Sequence, residues 1–239
     1  MSFTYLLTPL HEHYDSGFGA TGNAFKAAAD RLREALPEQG PLFNETLPIN
    51  FLYRHAIELF LKSTIVIIHR RLRLPYGEVP HDGDPQVRDG ANWKPFQRVH
   101  SVLALWRYVK ALFAEQKAFF DGVGKVDWTL PAELDEWIDT IEKHDPRSTF
   151  FRYPNPGDPL ADSQKALTAQ AAPGELLQRM IEAKPAGVTL VVHDEHDEVL
   201  RGYYYTGDAL AELAETLRKC SEFWYGNHAA LRSEVCGGR

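Results

Sequence analysis

The sequence predicts a mainly α fold: a bundle of about five helices with one β-hairpin inserted before the last. Three observations carry this reading. Apolar residues recur at spacings of three and four through most of the chain. One long segment, Thr46 to Leu74, is apolar around most of its circumference. Only residues 188–205 show the apolar strands and polar turn of a β-hairpin.

The elements follow in order. Gly22 to Leu36 places Ala24, Ala27, Ala28, Leu32, Ala35 and Leu36 at helical spacing, with Asn23 as N-cap, and stops at Pro37. A turn over 37–41 leads to the long second helix, which Thr46 caps and Pro48 opens. Residues 75–95 are dense in Pro and Gly and read as a loop. A third helix is expected over Phe96–Phe120, and a fourth over Pro131–His144 with Leu134, Ile138 and Ile141 on one face. Residues 155–174 read as a mobile connection, and Gly174–Ala183 as a short helix. The hairpin of 188–205 turns at His193-Asp-Glu-His-Asp-Glu198. The last helix starts near Asp208, carries Leu210, Leu213, Leu217, Cys220 and Trp224, and ends at Gly226-Asn227.

Composition bounds the function. The 239 residues, 44% hydrophobic, suffice for one domain, 1–239, with a full core. The net charge of −7 argues against general duplex-DNA binding, which draws its affinity from cations on phosphates. The two cysteines, Cys220 and Cys236, cannot build a zinc site. No signal peptide is visible, and Ala56–Ile68 is too short and too polar to span a bilayer, so a cytoplasmic protein with no membrane partner is expected.

Four segments could carry chemistry. On the second helix Arg54, His55, Glu58 and Lys62 share a stripe with Ile65 and His69. Arg54, Glu58 and Lys62, four apart, suit either a ladder of surface ion pairs or the lining of a cleft or dimer interface. His100 opens the third helix and suits either a satisfied structural histidine or a general acid or base. Arg147 and Arg152 sit between two prolines beside Phe150, Phe151 and Tyr153. Stiffly held arginines suit bidentate recognition of phosphate or carboxylate, or pairing with Glu58 or Asp145 inside the protein. His11-Glu-His13 and His193-Asp-Glu-His196 have metal-like spacing, but the second is more simply an acidic hairpin tip, and neither a metal nor a cofactor is expected. Gly17-Phe-Gly-Ala-Thr-Gly22 spells G-x-G-x-x-G, yet it follows no apolar strand and reads as a chance match.

Phe51-Leu-Tyr-Arg-His-Ala-Ile-Glu-Leu-Phe-Leu-Lys62, then His100-Ser-Val-Leu-Ala-Leu-Trp106, then Phe151-Arg-Tyr-Pro154 together resemble the HEPN-like helical proteins common in prokaryotic defence and toxin–antitoxin systems. The resemblance covers most of the chain. It implies a bundle of four or five helices that often forms a homodimer with a composite site at the interface. Many members are metal-independent endoribonucleases with an arginine followed four to six residues later by histidine. Here His55 follows Arg54 at once, His100 is two residues after Arg98, and Arg218 and His228 are ten apart, so no family catalytic residue is carried over.

The expectation is therefore a divergent or non-catalytic module binding an anionic ligand (RNA or nucleotide) or a protein partner. The alternative is a ribonuclease with a rearranged site. In either case His55, His100, Arg147 and Arg152 are the residues for chemistry, and Arg54, Glu58, Lys62 and Tyr153 those for ligand binding.

Overall fold

Helix α2, Thr46–Leu72, is the axis of the protein, and every residue from Ala56 to His69 on it is buried. The computed structural model describes residues 7–37, 44–124, 126–154, 159–172, 174–175, 178 and 189–238. Around α2 pack α1 (Phe18–Glu34), α3 (Val102–Glu115) and α7 (Ala211–Ala230), and α5 (Glu133–His144) closes against α3 and α7. Short α4 (Lys117–Asp121) and α6 (Pro159–Ser163) complete the described helices. A helix enclosed on all sides is apolar on all sides, and the Ile65–Ile68 run meets that demand. The fold is mainly α, as the periodicity predicts.

Several boundaries differ from the sequence reading, each for a physical reason. Helix α1 starts at Phe18 rather than near Asn23, because Asp15 acts as its cap and accepts from the Gly17 and Gly19 amides at 3.0 and 2.7 Å. Gly17 takes φ +83°, and a β-carbon on Gly19 would lie 2.0 Å from the His228 ring. Gly22 packs on Phe60. The three glycines are thus set by a helix start and by close helix crossing.

The predicted third helix begins six residues late, capped by Ser101 Oγ on the Ala104 amide at 3.0 Å, and breaks at Gln116. Its first residues instead form a 3-10 turn, Phe96–Arg98. Residues 75–95, read as loop, contain a hairpin of β1 (Gln86–Asp89) and β2 (Asn92–Pro95). Asp89 pairs with Asn92 across Gly90-Ala91, and Gly90 has φ +63°, a two-residue turn that glycine favours.

The expected hairpin is present as β4 (Thr189–His193) and β5 (Val199–Tyr205), with a bulge at Val192/His193. A third strand, β3 (Thr168–Ala171), pairs with the other edge of β5, giving the order β3-β5-β4. The sequence reading placed no strand there; the expected helix over 174–183 lies largely outside the described residues. Leu190, Val192, Val199 and Leu200 are exposed on this sheet.

Helix α7 runs through Gly226-Asn227 to Ala230 and finishes in a π turn, Leu231–Val235. Leu213, Leu217, Cys220, Trp224 and His228 form its buried face, with Trp224 edge-on to Trp106 at 5.8 Å. Packing of that face outweighs the roughly 1 kcal/mol that glycine costs in a helix interior.

Candidate functional site

The charges of α2 are internal. Arg54 is fully enclosed, Glu58 is 1% exposed and Lys62 4% exposed, which excludes the surface ladder. Glu58 accepts from Arg54 Nη1 through Oε2 and from Lys62 Nζ through Oε1, both at 2.8 Å. Arg54 Nε lies 2.9 Å from Asp145 Oδ2, and Arg54 Nη2 donates to the His100 carbonyl at 2.5 Å. Two cations and two carboxylates balance, as buried charge requires. Burial pushes the Glu58 carboxyl upward, but Lys62, Arg54 and the His100 hydrogen bond together hold it below its ordinary value.

His100 joins this buried group to solvent. Its Nδ1–H donates to Glu58 Oε1 at 3.0 Å, because an ionised carboxylate can only accept. The side chain is nonetheless 46% exposed, leaving Nε2 as the ring nitrogen available outside. Main chain and ring are held separately, the first by Arg54 and the second by Glu58.

The ring lines a cleft of about 280 Å³ together with Arg98, Arg147, Lys94 and Asp89. Lys94 is paired with Asp89 at 2.5 Å. Arg98 and Arg147 are exposed, and neither has an ion-pair partner among the described residues. The first turn of α3 is not free to hold an anion. Glu142 already accepts from the Leu103 amide at 3.2 Å and from Ser101 Oγ at 2.8 Å.

The candidate residues divide between two places. His100 and Arg147 share the cleft. His55 is half-buried between Phe25 and Phe51, at ring distances of 4.5 and 5.8 Å, and burial holds its pKa below the usual value. Arg152 lies over the same Phe51 ring at 5.9 Å and donates to Ser148 Oγ at 2.6 Å. Tyr153 is 56% exposed, and its carbonyl accepts from Lys165. Neither His55, Arg152 nor Tyr153 lines the His100 cleft. The internal arginine sealed by Glu58 and Asp145 is Arg54, rather than Arg147 or Arg152.

Asp145 explains how the 145–153 loop is held. Its Oδ1 accepts from the Thr149 and Phe150 amides at 2.7 and 3.0 Å, while Oδ2 meets Arg54. Arg147 projects from that anchored loop. Sequence reasoning missed Arg98 and Lys94, which the 86–95 hairpin and its following turn bring to the cleft. The Asp89-Gly90 pair was the signal for that hairpin.

Two other buried polar groups are structural. Ser63 donates to Asp15 Oδ2 at 2.5 Å, and its Oγ lies 3.0 Å from His228 Nδ1. The residue types are those of a hydrolase triad, but the hydroxyl sits between acid and ring instead of at the end, and all three are enclosed. His69 donates from Nδ1 to the Leu74 carbonyl at 2.8 Å and accepts from the Tyr108 hydroxyl at 2.7 Å, as a neutral ring; burial lowers its pKa to about 4. Among the described residues no three His, Cys, Asp or Glu side chains are grouped as metal ligands, and no helix is long and apolar enough to cross a membrane.

Comparison of the chain with models of known families, with curated proteins and with solved structures returned no match.

Proposed function

We propose that the chain is a HEPN-like helical module that binds an anionic ligand, RNA or a nucleotide, in the His100 cleft. The observation that carries this reading is the company His100 keeps. Its ring is fixed on buried Glu58, while two guanidiniums without carboxylate partners among the described residues, Arg98 and Arg147, border the same cleft. Unpartnered arginines beside a fixed ring suit phosphate better than any apolar ligand. The resemblance would place such a module in a defence or stress system.

The test is calorimetric titration of the purified protein with adenine nucleotides and short single-stranded RNA in EDTA. Binding that weakens about tenfold or more in Arg98→Ala/Arg147→Ala, with an unchanged melting temperature, supports the reading. Equal affinity in the double variant overturns it.

One contact favours a second reading, a metal-independent endoribonuclease. A carboxylate on Nδ1 fixes the tautomer and leaves Nε2 for proton transfer, and the arginines could meet charge developing on a phosphorane. Cleavage of transfer RNA in EDTA that disappears in a folded His100→Ala variant supports this; intact RNA with the wild type opposes it.

A further inference from the structure

The ligand class of the cleft can be narrowed by size and charge, an argument that rests on the anion-binding reading above. We infer that the His100 cleft is built for a terminal phosphate, a phosphomonoester dianion, rather than for the phosphodiester backbone of a polynucleotide.

Charge is the first argument. Of the three cations lining the cleft, Lys94 is held by Asp89, so two positive charges remain, on Arg98 and Arg147. A phosphomonoester carries about two negative charges near neutral pH, because its second pKa is about 6. An internal diester carries one and would leave one guanidinium without its match.

Size is the second. The cleft measures about 280 Å³, below the roughly 300–1,000 Å³ of pockets that enclose drug-sized ligands. A cleft of that size has room for a single phosphate-bearing group rather than for several nucleotides of a strand.

The third is what surrounds it. Strand binding needs a run of available cations along the backbone path. Here Glu142 occupies the first turn of α3, and Arg88 on β1 is paired with Glu115. The chain as a whole carries −7. A single dianion can be held by two local arginines against that background, whereas a polyanion meets repulsion beyond the cleft.

His100 borders the same cleft. Its Nδ1–H is committed to Glu58, so Nε2 is the ring atom that faces the ligand. The charged groups facing His100 are Glu58 and, through its carbonyl, Arg54 on α2, Arg98 and Arg147 at the cleft, and the Lys94–Asp89 pair on the hairpin. Ser101 takes no part, its hydroxyl being engaged with Glu142 and the Ala104 amide.

The experiment compares matched probes by calorimetry on the full chain in EDTA. The probes are 5′-AMP, adenosine, 3′,5′-cyclic AMP, and one RNA hexamer with either a 5′-phosphate or a 5′-hydroxyl. The expected order places 5′-AMP and the 5′-phosphorylated hexamer at least about tenfold above cyclic AMP and the 5′-hydroxyl hexamer, with adenosine not binding. Tight binding by AMP alone identifies a free nucleotide as the source. Equal binding by AMP and the phosphorylated hexamer identifies the end of an RNA.

Cyclic AMP or the hydroxyl hexamer binding as tightly as its partner overturns this inference and leaves the anion-binding reading intact. No heat with any probe, or with inorganic phosphate, overturns both. Arg147→Ala and Arg98→Ala, both at exposed positions, should each weaken AMP about tenfold while the melting temperature is kept, and a loss confined to unfolded variants counts against the assignment.

Discussion

Glu58 Oε1 and His100 Nδ1 lie 3.0 Å apart, one enclosed at the centre of the bundle and the other on its surface. Glu58 therefore has two functions, neutralising Arg54 and Lys62 and orienting the ring at the cleft. The two can be separated, because the first concerns stability and the second, on the proposed anion-binding reading, affinity.

Glu58→Ala should destabilise the protein by about 3–5 kcal/mol, since it leaves two buried cations with one carboxylate between them. Urea denaturation monitored by tryptophan fluorescence measures this. A loss comparable to that of an exposed substitution would show that Arg54 and Lys62 find other partners.

Stability should fall on mild acidification. Burial lowers the His69 pKa to about 4 and also lowers that of His228, where Asp15 opposes the shift. An unfolded histidine titrates near 6.5, so between those values the unfolded chain binds more protons and stability rises with pH. The His69 contribution is complete above about pH 6.5 and is lost as pH falls toward 4, by about 2 kcal/mol between pH 7 and 5. Glu58, whose pKa is depressed, adds its own loss only below the ordinary carboxylate range. Melting temperatures from pH 7.5 to 4.5 test the sign; a flat profile to pH 5 would contradict a neutral His69.

Gly19→Ala and Gly226→Ala should act in opposite directions. A β-carbon at residue 19 enters the His228 ring at 2.0 Å, an overpacking expected to cost about 3 kcal/mol or more. At residue 226 nothing among the described residues lies within 4 Å, and alanine should stabilise α7 by about 0.5–1 kcal/mol. Thermal melts of the two variants beside wild type decide it, and equal behaviour would rule out the close approach of α1 to His228.

Both cysteines should resist labelling in the native protein. Cys220 and Cys236 are buried, and burial raises both thiols, that of Cys236 to about 12. At pH 8 a thiol reagent should react slowly until denaturant is added, and then with two equivalents. Prompt native reaction of either would place it at an open surface.

The sequence revealed those elements whose signals are local. The span and enclosure of α2 follow from an apolar run that no one-sided helix would carry, and α5 from Leu134, Ile138 and Ile141. The 86–95 hairpin escaped because four prolines between 75 and 95 outweighed Asp89-Gly90, although the prolines flank the strand residues or end them. The early start of α1 escaped because its cap, Asp15, stands outside the helix before a glycine at positive φ.

At the site, residue types were legible and convergence was not. His100 and Arg147 were named from chemistry alone, yet only the fold puts them on one cleft and places His55 and Arg152 beside Phe51 instead. Arg98 was read only as an arginine near His100, because its place depends on a turn the sequence reading had made helical. The Asp15–Ser63–His228 group joins residues from three elements and leaves no local pattern at all.

The charge line of α2 also bears on the order of assembly. Arg54–Glu58 and Glu58–Lys62 are each four residues apart, so both pairs can close within an isolated helix, whereas the His100 carbonyl reaches Arg54 from 46 residues away. An α2 formed on its own would already match Glu58 with Arg54 and Lys62, at no cost in loop closure. Without Asp145, which the 145–153 loop brings from far along the chain, the same helix would carry two cations against one carboxylate.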